Sequence, residues 1–376
     1  MSWSISYKAL TMTSPTFMTL IGHGLPVYAS NSSGGSNAAT KAVDGTDYFN
    51  SWWSTGCPVT LDIDISSVVA GIFSDSGGYK GLVYAFGTND QALEPSLVSN
   101  SEAHIPGNYT IEVNSGAGGG SSPGSGWTTA VTVTGNIYSR RAHILDVTGI
   151  NWVRLNVTQA ADGSSTGPRL HTDLWNGNGA INSAHTSFNA GWLMIGDSIY
   201  ANGMMWENPG GDSGDTPLGN IVQVATGHWP LQFCAGFPGF KTSDLTAYTD
   251  AFVASFPGKY VQIGLGTNDA GANSSTVFAA NLRTMCDSIQ AVNKIAVVDT
   301  IPWCSDARIA YIPALNQKIA DLITADPTIL AGNDRWTYMN NNQGQISGDG
   351  VHPASAGYAG LRAQQGARMA AIGSGA

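Results

Sequence analysis

Three short segments hold residue types that could carry out acyl transfer: Gly196-Asp197-Ser198, Gly266-Thr267-Asn268-Asp269, and Asp349-Gly350-Val351-His352-Pro353. Ser198 follows an apolar run, Trp192–Ile195 (WLMI). A serine at the carboxyl end of a parallel strand sits where open α/β sheets place their ligands. A helix starting there aims free backbone N–H groups and a positive dipole end at the same spot. The nucleophile's own N–H can then serve as an oxyanion donor. Asn268 ends a second apolar run, and its amide can donate into the same crevice. Asp349 and His352 are three residues apart and can meet in one turn, where the carboxylate would fix the imidazole tautomer and stabilise the imidazolium. With a reference pKa of about 6.5, a histidine suits the role of base at neutral pH. Each segment also has an ordinary structural reading: a helix N-cap at Asp197 or Ser198, an Asx turn at Asn268, a solvated surface histidine at position 352.

The elements that must position these residues are legible in the periodicity. From about residue 190 onward, continuous apolar runs at Trp192–Ile195, Tyr260–Leu265 and Ile295–Ile301 read as parallel strands covered on both faces. Helical spacing follows. Phe278, Leu282, Met285 and Ile289 step by four, three and four within Thr276–Ala291, with Ser274 or Ser275 as cap. Ile309, Ile312, Leu315, Ile319 and Leu322 predict one helix over Ala307–Ala325, and Ala354–Ala370 closes the chain as another. Pro353 suits a first helical turn and would place His352 at the helix start. Alternating strands and helices predict a doubly wound α/β layer. Before about residue 175 the pattern is different. Thr60–Ile65, Tyr109–Val113, Thr129–Val133 and Trp152–Val157 are strand-like runs separated by turns, predicting an antiparallel β-sandwich. Between two of them, residues 114–126 (NSGAGGGSSPGSG) read as a flexible surface loop. The expected division is a sandwich over residues 1–185 and a catalytic domain over 186–376.

Bulk composition narrows the class. Of 376 residues, 42% are apolar, enough for a core, while 11% are charged. A typical soluble domain carries roughly 25% charged residues. This chain replaces them with Gly, Ser, Thr and Asn, as a loop-rich extracellular β protein does. The formal net charge is -10 and no segment concentrates Lys or Arg, which argues against a nucleic-acid partner. The four cysteines, at 57, 234, 286 and 304, lack CxxC spacing, which argues against a zinc site. One disulfide is possible, and buried free thiols are the plainer expectation. No stretch of 18 apolar residues predicts a membrane span. The first residues lack a basic segment followed by an apolar one, so a secreted chain here would be a mature or trimmed form, or exported by another route.

Taken in order and at strand ends, GDSI around Ser198, GTND around Asn268 and DGVHP around Asp349 and His352 resemble the SGNH (GDSL-like) hydrolase family over roughly residues 190–372. The resemblance implies a flavodoxin-like sheet and a serine esterase with Ser198 as nucleophile, His352 as base and Asp349 as its orienting acid. It implies an oxyanion hole from Ser198, a glycine and Asn268, with no cofactor for catalysis. The glycine block departs from the family's Asn-x-Gly-x-Ser-Gly pattern. Here it reads Cys234-Ala235-Gly236-Phe237-Pro238-Gly239, which makes Gly239 the expected oxyanion glycine and leaves Gly236 as the alternative.

Upstream, the Ala42-Val43-Asp44-Gly45 loop, Trp52-Trp53 soon after it, and the late Trp152-Val153-Arg154-Leu155 strand resemble the galactose-binding-like (discoidin-like) sandwich family over about residues 20–175. That resemblance implies a carbohydrate-binding domain and a structural calcium for which Asp44 and Asp47 would supply oxygen ligands. It also implies that at least one of Trp52 and Trp53 is core. A sandwich ahead of an SGNH domain looks like the arrangement of secreted carbohydrate esterases, which implies an esterase removing acetyl groups from carbohydrate. Two other readings remain: a general short-chain esterase whose sandwich is only structural, and a carbohydrate-binding or adhesion protein with a vestigial hydrolase domain.

Overall fold

A computed structural model describes residues 18–43, 51–88, 104–177, 179–203, 218–228 and 230–373. The chain divides into two compact units, residues 18–188 and 189–376.

The first unit is antiparallel throughout. Its strands are β1 (Thr19–Leu20), β2 (Val27–Ala29), β3 (Trp52–Trp53), β4 (Val59–Asp64), β5 (Gly81–Thr88), β6 (Pro106–Asn114), β7 (Thr128–Val133), β8 (Arg140–Asp146), β9 (Trp152–Ala160) and β10 (Arg169–Asn176). They form two sheets, ordered β1-β10-β5-β8 with β3 on β10, and β2-β4-β9-β6-β7. Period-two alternation sets the inner faces. Val153, Leu155 and Val157 of β9 are buried while Arg154 and Asn156 between them are not. They join Leu82, Tyr84 and Phe86 of β5 and Leu170 and Leu174 of β10 in one core. Trp52 is fully buried in that core, as expected for at least one of the pair. The Arg169 guanidinium lies 3.3 Å over the centroid of the Trp53 ring. Asp44 and Asp47, the expected calcium ligands, lie outside the described residues; among the described residues, no cluster of His, Cys, Asp or Glu could hold a metal ion.

The glycine-rich segment is not the flexible loop expected from its composition. Gly119 N donates to Asp64 at 2.6 Å, the Ser122 hydroxyl donates to Asp62, Trp152 Nε1 donates to the Ala117 carbonyl at 3.1 Å, and Asn114 holds Gly116 N and the Ser125 carbonyl. Here the glycines serve close approach rather than mobility: a Cβ at Gly118 would sit 1.9 Å from the Ser66 hydroxyl. Trp127 then stacks on the Arg154 guanidinium, which itself grips Asp62 through two bonds of 2.6 and 2.8 Å.

The second unit contains β11 (Phe188–Gly196), α1 (Ser198–Gly203), α2 (Leu218–Thr226), β12 (Leu231–Gly236), α3 (Thr242–Leu245), α4 (Thr249–Ser255), β13 (Gly258–Gly264), α5 (Ser275–Ala291), β14 (Ile295–Val298), α6 (Ile312–Ala325), β15 (Leu330–Ala331), α7 (Arg335–Asn341) and α8 (Ser355–Gly373). Its sheet runs β12-β11-β13-β14-β15, with parallel pairing of β11 to β12, β13 to β14 and β14 to β15. This is the doubly wound order in which connections leave in opposite directions from the first strand, so a crevice opens between β11 and β13 at their carboxyl ends. Ser274 caps α5 by accepting from Val277 N, and the predicted Phe278, Leu282, Met285 and Ile289 stripe is buried.

Two helical expectations need correction. Residues 307–325 are not one helix: a 3-10 turn over Ala307–Ala310 precedes α6, and the break falls just before Pro313 in the first turn of α6. Proline lacks an N–H, so Pro313 cannot continue the helical hydrogen-bond ladder from the preceding turn and fits only the first turn of a new helix. The final helix begins at Ser355, so Pro353 and His352 precede it; Pro353 instead bridges to Ile346.

Candidate active site

Ser198 is the first residue of α1, immediately beyond β11. Asp197 turns the chain there: its Oδ1 accepts Ile199 N at 3.0 Å and its carbonyl accepts Ala201 N at 3.0 Å. Asp197 is fully buried, and burial raises its carboxyl pKa. The cap residue is therefore Asp197, which leaves the Ser198 hydroxyl for other partners.

The loop between the 3-10 turn at Gln343–Gln345 and α8 carries the other two groups. Ser347 N donates to the His352 carbonyl at 2.8 Å and Gly350 N to the Ser347 carbonyl at 3.0 Å, closing a tight turn. Gly350 has φ +75 within it, a left-handed conformation that glycine adopts freely. Asp349 Oδ1 accepts Val351 N and His352 N, each at 2.9 Å, and the Ser347 hydroxyl at 2.7 Å. Its Oδ2 lies 2.5 Å from His352 Nδ1, and His352 Nε2 lies 2.7 Å from Ser198 Oγ. The bond from His352, then those from the Val351 amide and the Ser347 hydroxyl, hold the Asp349 carboxyl well below the usual carboxylate range. A carboxylate facing Nδ1 assigns the proton to that nitrogen and leaves Nε2 as acceptor for the serine hydroxyl. Asp349 is exposed and His352 partly so. An exposed pair contributes only about 0–1 kcal/mol of stability, so what it fixes is the direction of the ring.

Asn268 lies in the turn after β13. Its Nδ2 donates to the Phe240 carbonyl at 3.1 Å, which ties the turn to the residue beside Gly239. Asp269 reinforces that tie: buried, it accepts Thr242 N at 3.0 Å, the Thr242 hydroxyl at 2.7 Å and Asn273 Nδ2 at 2.7 Å. Gly239 has φ +81 and lies exposed on the loop after β12. Gly236 is buried at the end of β12, where a Cβ would meet Ala201 N at 2.3 Å, so it serves close packing of α1. The contacts thus bring Ser198, His352 and Asp349 into one chain of bonds. They tie Asn268 to the Gly239–Phe240 loop, and they leave Gly236 as a packing glycine.

Residues that the sequence did not single out support this arrangement from below. Tyr200, two positions after Ser198, donates from its hydroxyl to Asp299 Oδ2 at 2.7 Å. Asp299 is fully buried at the end of β14. Its Oδ1 accepts Gln262 Nε2 at 2.6 Å and Asn333 N at 2.7 Å, and its Oδ2 lies 2.5 Å from Arg335, also buried. The Arg335 guanidinium covers the Tyr200 ring at 4.1 Å. The ring itself occupies space that only glycines leave: a Cβ at Gly196 or Gly264 would meet it at 2.3 and 1.7 Å. A polar residue directly after an apolar strand, as in Ile295–Asp299, is the one sequence signal of this cluster.

A doubly wound α/β unit with a hydroxyl, an imidazole and a carboxylate in series at its switch point is an arrangement suited to nucleophilic acyl transfer. Residues 194–359, within the second unit, match the model of the GDSL-like lipase/acylhydrolase family, a match that supports a carboxylic ester hydrolase. Among solved structures, a lipase/acylhydrolase from Enterococcus faecalis is 22% identical, with 48% of this chain and 96% of that chain covered and a TM-score of 0.40. A carbohydrate esterase family 3 protein from Talaromyces cellulolyticus is 19% identical, covering 49% and 98% with a TM-score of 0.40. A chitosan-binding module from a chitosanase/glucanase of Paenibacillus sp. IK-5 is 17% identical, covering 41% and 97% with a TM-score of 0.29. A comparison with curated proteins gave no match.

Proposed function

We propose that the protein is a serine esterase that hydrolyses short-chain, chiefly acetyl, carboxylic esters through Ser198, His352 and Asp349. The observation that carries this is the unbroken series Asp349 Oδ2 to His352 Nδ1, 2.5 Å, and His352 Nε2 to Ser198 Oγ, 2.7 Å. Ser198 Oγ attacks the ester carbonyl while its proton passes to His352 Nε2. Asp349 stabilises the imidazolium. The oxyanion forms against the N–H groups of Ser198 and Gly239 and the Asn268 amide. His352 returns the proton to the leaving alcohol, and the C–O bond breaks to give an acyl-serine. Water, deprotonated by His352, then attacks the acyl carbon and releases the carboxylic acid and free Ser198. Catalysis needs no cofactor in this scheme.

For the alcohol we propose a carbohydrate hydroxyl. The support is architectural analogy: an antiparallel sandwich joined to an esterase unit in one chain. A secreted enzyme acting on acetylated polysaccharide fits the low charge of the chain. Wild type should release acetate from acetylated xylan and hydrolyse p-nitrophenyl acetate, and Ser198→Ala should do neither above background. Equal activity of the two proteins on p-nitrophenyl acetate would sink the mechanism. Activity confined to small synthetic esters would remove the carbohydrate and leave a general esterase.

A further inference from the structure

The contacts around Ser198 continue into a segment that the reaction scheme does not use. The turn that carries His352 touches the chain after β14: Ser305 N donates to the Gly350 carbonyl at 2.8 Å. Further along the same segment, Tyr311 reaches the turn that carries Asn268. A Cβ at Gly271 would sit 3.2 Å from Cε2 of the Tyr311 ring, and Gly271 itself has φ +82. Asn268 in turn is bonded to the Phe240 carbonyl, beside Gly239. Residues 305–311 therefore join the base-bearing turn to the proposed oxyanion turn and form one side of the crevice mouth.

The segment is firmly held. Asp306 Oδ1 caps its 3-10 turn by accepting Arg308 N at 2.9 Å, and Oδ2 accepts Arg308 Nη1 at 2.8 Å. Tyr311 N donates to the Arg308 carbonyl at 2.9 Å, and the Tyr311 carbonyl accepts Ala314 N at 3.1 Å. At the foot of the segment, the Asn316 side chain accepts Ile301 N at 2.8 Å and donates to the Ile301 carbonyl at 3.0 Å. The Tyr311 backbone is thus tied on both sides, and its ring is presented from a fixed point. Tyr311 is 52% exposed. Phe240, the aromatic residue across from it, instead stacks on Phe237 with 5.5 Å between centroids. Asp306 and Arg308 engage each other, so what the segment offers a ligand is chiefly an uncharged aromatic ring.

We propose that Tyr311 is a specificity-determining residue that contacts the alcohol portion of the ester and favours uncharged alcohols bearing a ring. The inference rests on the esterase reading given above. In that reaction the leaving oxygen takes its proton from His352, so the alcohol departs on the side of the His352 turn. Ser305 fastens the Tyr311 segment to that same turn. An acetyl group ends close to Ser198 and is too short to meet a side chain on the rim, which leaves the alcohol as the portion that Tyr311 can touch. A ring in the alcohol packs on the tyrosine ring, whereas a short open chain covers little of it. Contact of this kind acts on binding more than on the bonds that change, so it belongs to KM.

The test is acetate release by the full chain from benzyl acetate and from ethyl acetate. The two esters share the acyl group and a primary alcohol and differ in the ring. For Tyr311→Ala, the ratio of kcat/KM for benzyl acetate to that for ethyl acetate should fall by about three- to tenfold, mainly through KM. Tyr311→Phe keeps the ring and should hold the wild-type ratio. Should the alanine variant melt early, Tyr311→Leu keeps an apolar contact with Gly271 and should lower the ratio likewise. An unchanged ratio in these variants would overturn the proposal. So would an equal fall on both esters, the signature of a merely structural role. Failure of the esterase reading looks different: wild type and Ser198→Ala would then act alike on ethyl acetate, and the role of Tyr311 would fall with it.

Discussion

At the scale of single residues, the proposed roles predict a graded series of losses. Asn268 supplies one side-chain N–H, so Asn268→Ala should lower kcat for p-nitrophenyl acetate by about 10²–10³, with KM little changed. Asp349→Asn should keep the Val351 and His352 amide bonds while removing the charge that faces Nδ1. Its loss in kcat should exceed that of a folding defect yet fall short of Ser198→Ala, because the Ser198–His352 contact survives. Steady-state kinetics on the purified variants, with circular dichroism as a fold control, separate these outcomes. These residues were legible in the sequence because their spacing along the chain is local: GDSI, GTND and DGVHP each close a turn on themselves. The proposed oxyanion glycine was less so. Gly236 and Gly239 differ only in their surroundings, one packed against Ala201 and the other exposed at φ +81, and sequence does not carry surroundings.

At the scale of elements, α1 is only six residues long, far too short to be stable alone. Its position comes from Tyr200, wedged against Gly196 and Gly264 and bonded to Asp299. Gly264→Ala places a methyl group where the Tyr200 ring now lies, so the ring and α1 must move. Overpacking of this kind costs roughly 1–3 kcal/mol. The expected result is a lower melting temperature together with a fall in kcat larger than the stability loss explains. A variant that melts earlier yet keeps full kcat would show that Ser198 is positioned by something else. Sequence reading found the strands and the long helices because apolar periodicity is a property of neighbours. It did not find the Tyr200–Asp299–Arg335–Gln262 cluster, whose members are drawn from four separate elements or their ends. Nor did it foresee the break before Pro313, where the apolar stripe continues in phase across a change of helix type.

At the scale of the whole molecule, the change of pattern near residues 175–190 marked the passage from antiparallel to parallel sheets, because the two fold classes bury strands on different numbers of faces. The glycine-rich loop was misread for the opposite reason: its order comes from Asp62, Asp64 and Trp152, which lie on other strands. All four cysteines are free. Burial pushes the Cys57 thiol up to about 11 and the Cys286 and Cys304 thiols up to about 12, and Cys234 is buried. Thiolate is the reactive form, so the folded protein should react slowly with Ellman's reagent at pH 8, whereas denaturant should release four equivalents. Fast reaction of one thiol without denaturant would contradict the burial described for it.

The imidazole and its carboxylate ride on a single turn closed by Ser347, Gly350 and His352, whereas the hydroxyl they serve belongs to a different element of the sheet. On the proposed mechanism, a shift of that turn would disconnect the proton acceptor, His352, from the nucleophile, Ser198, without altering the imidazole's own tautomer. Loss of turnover and loss of the histidine–aspartate bond are therefore separable events in this enzyme: a silent variant can still display an intact Nδ1 proton signal.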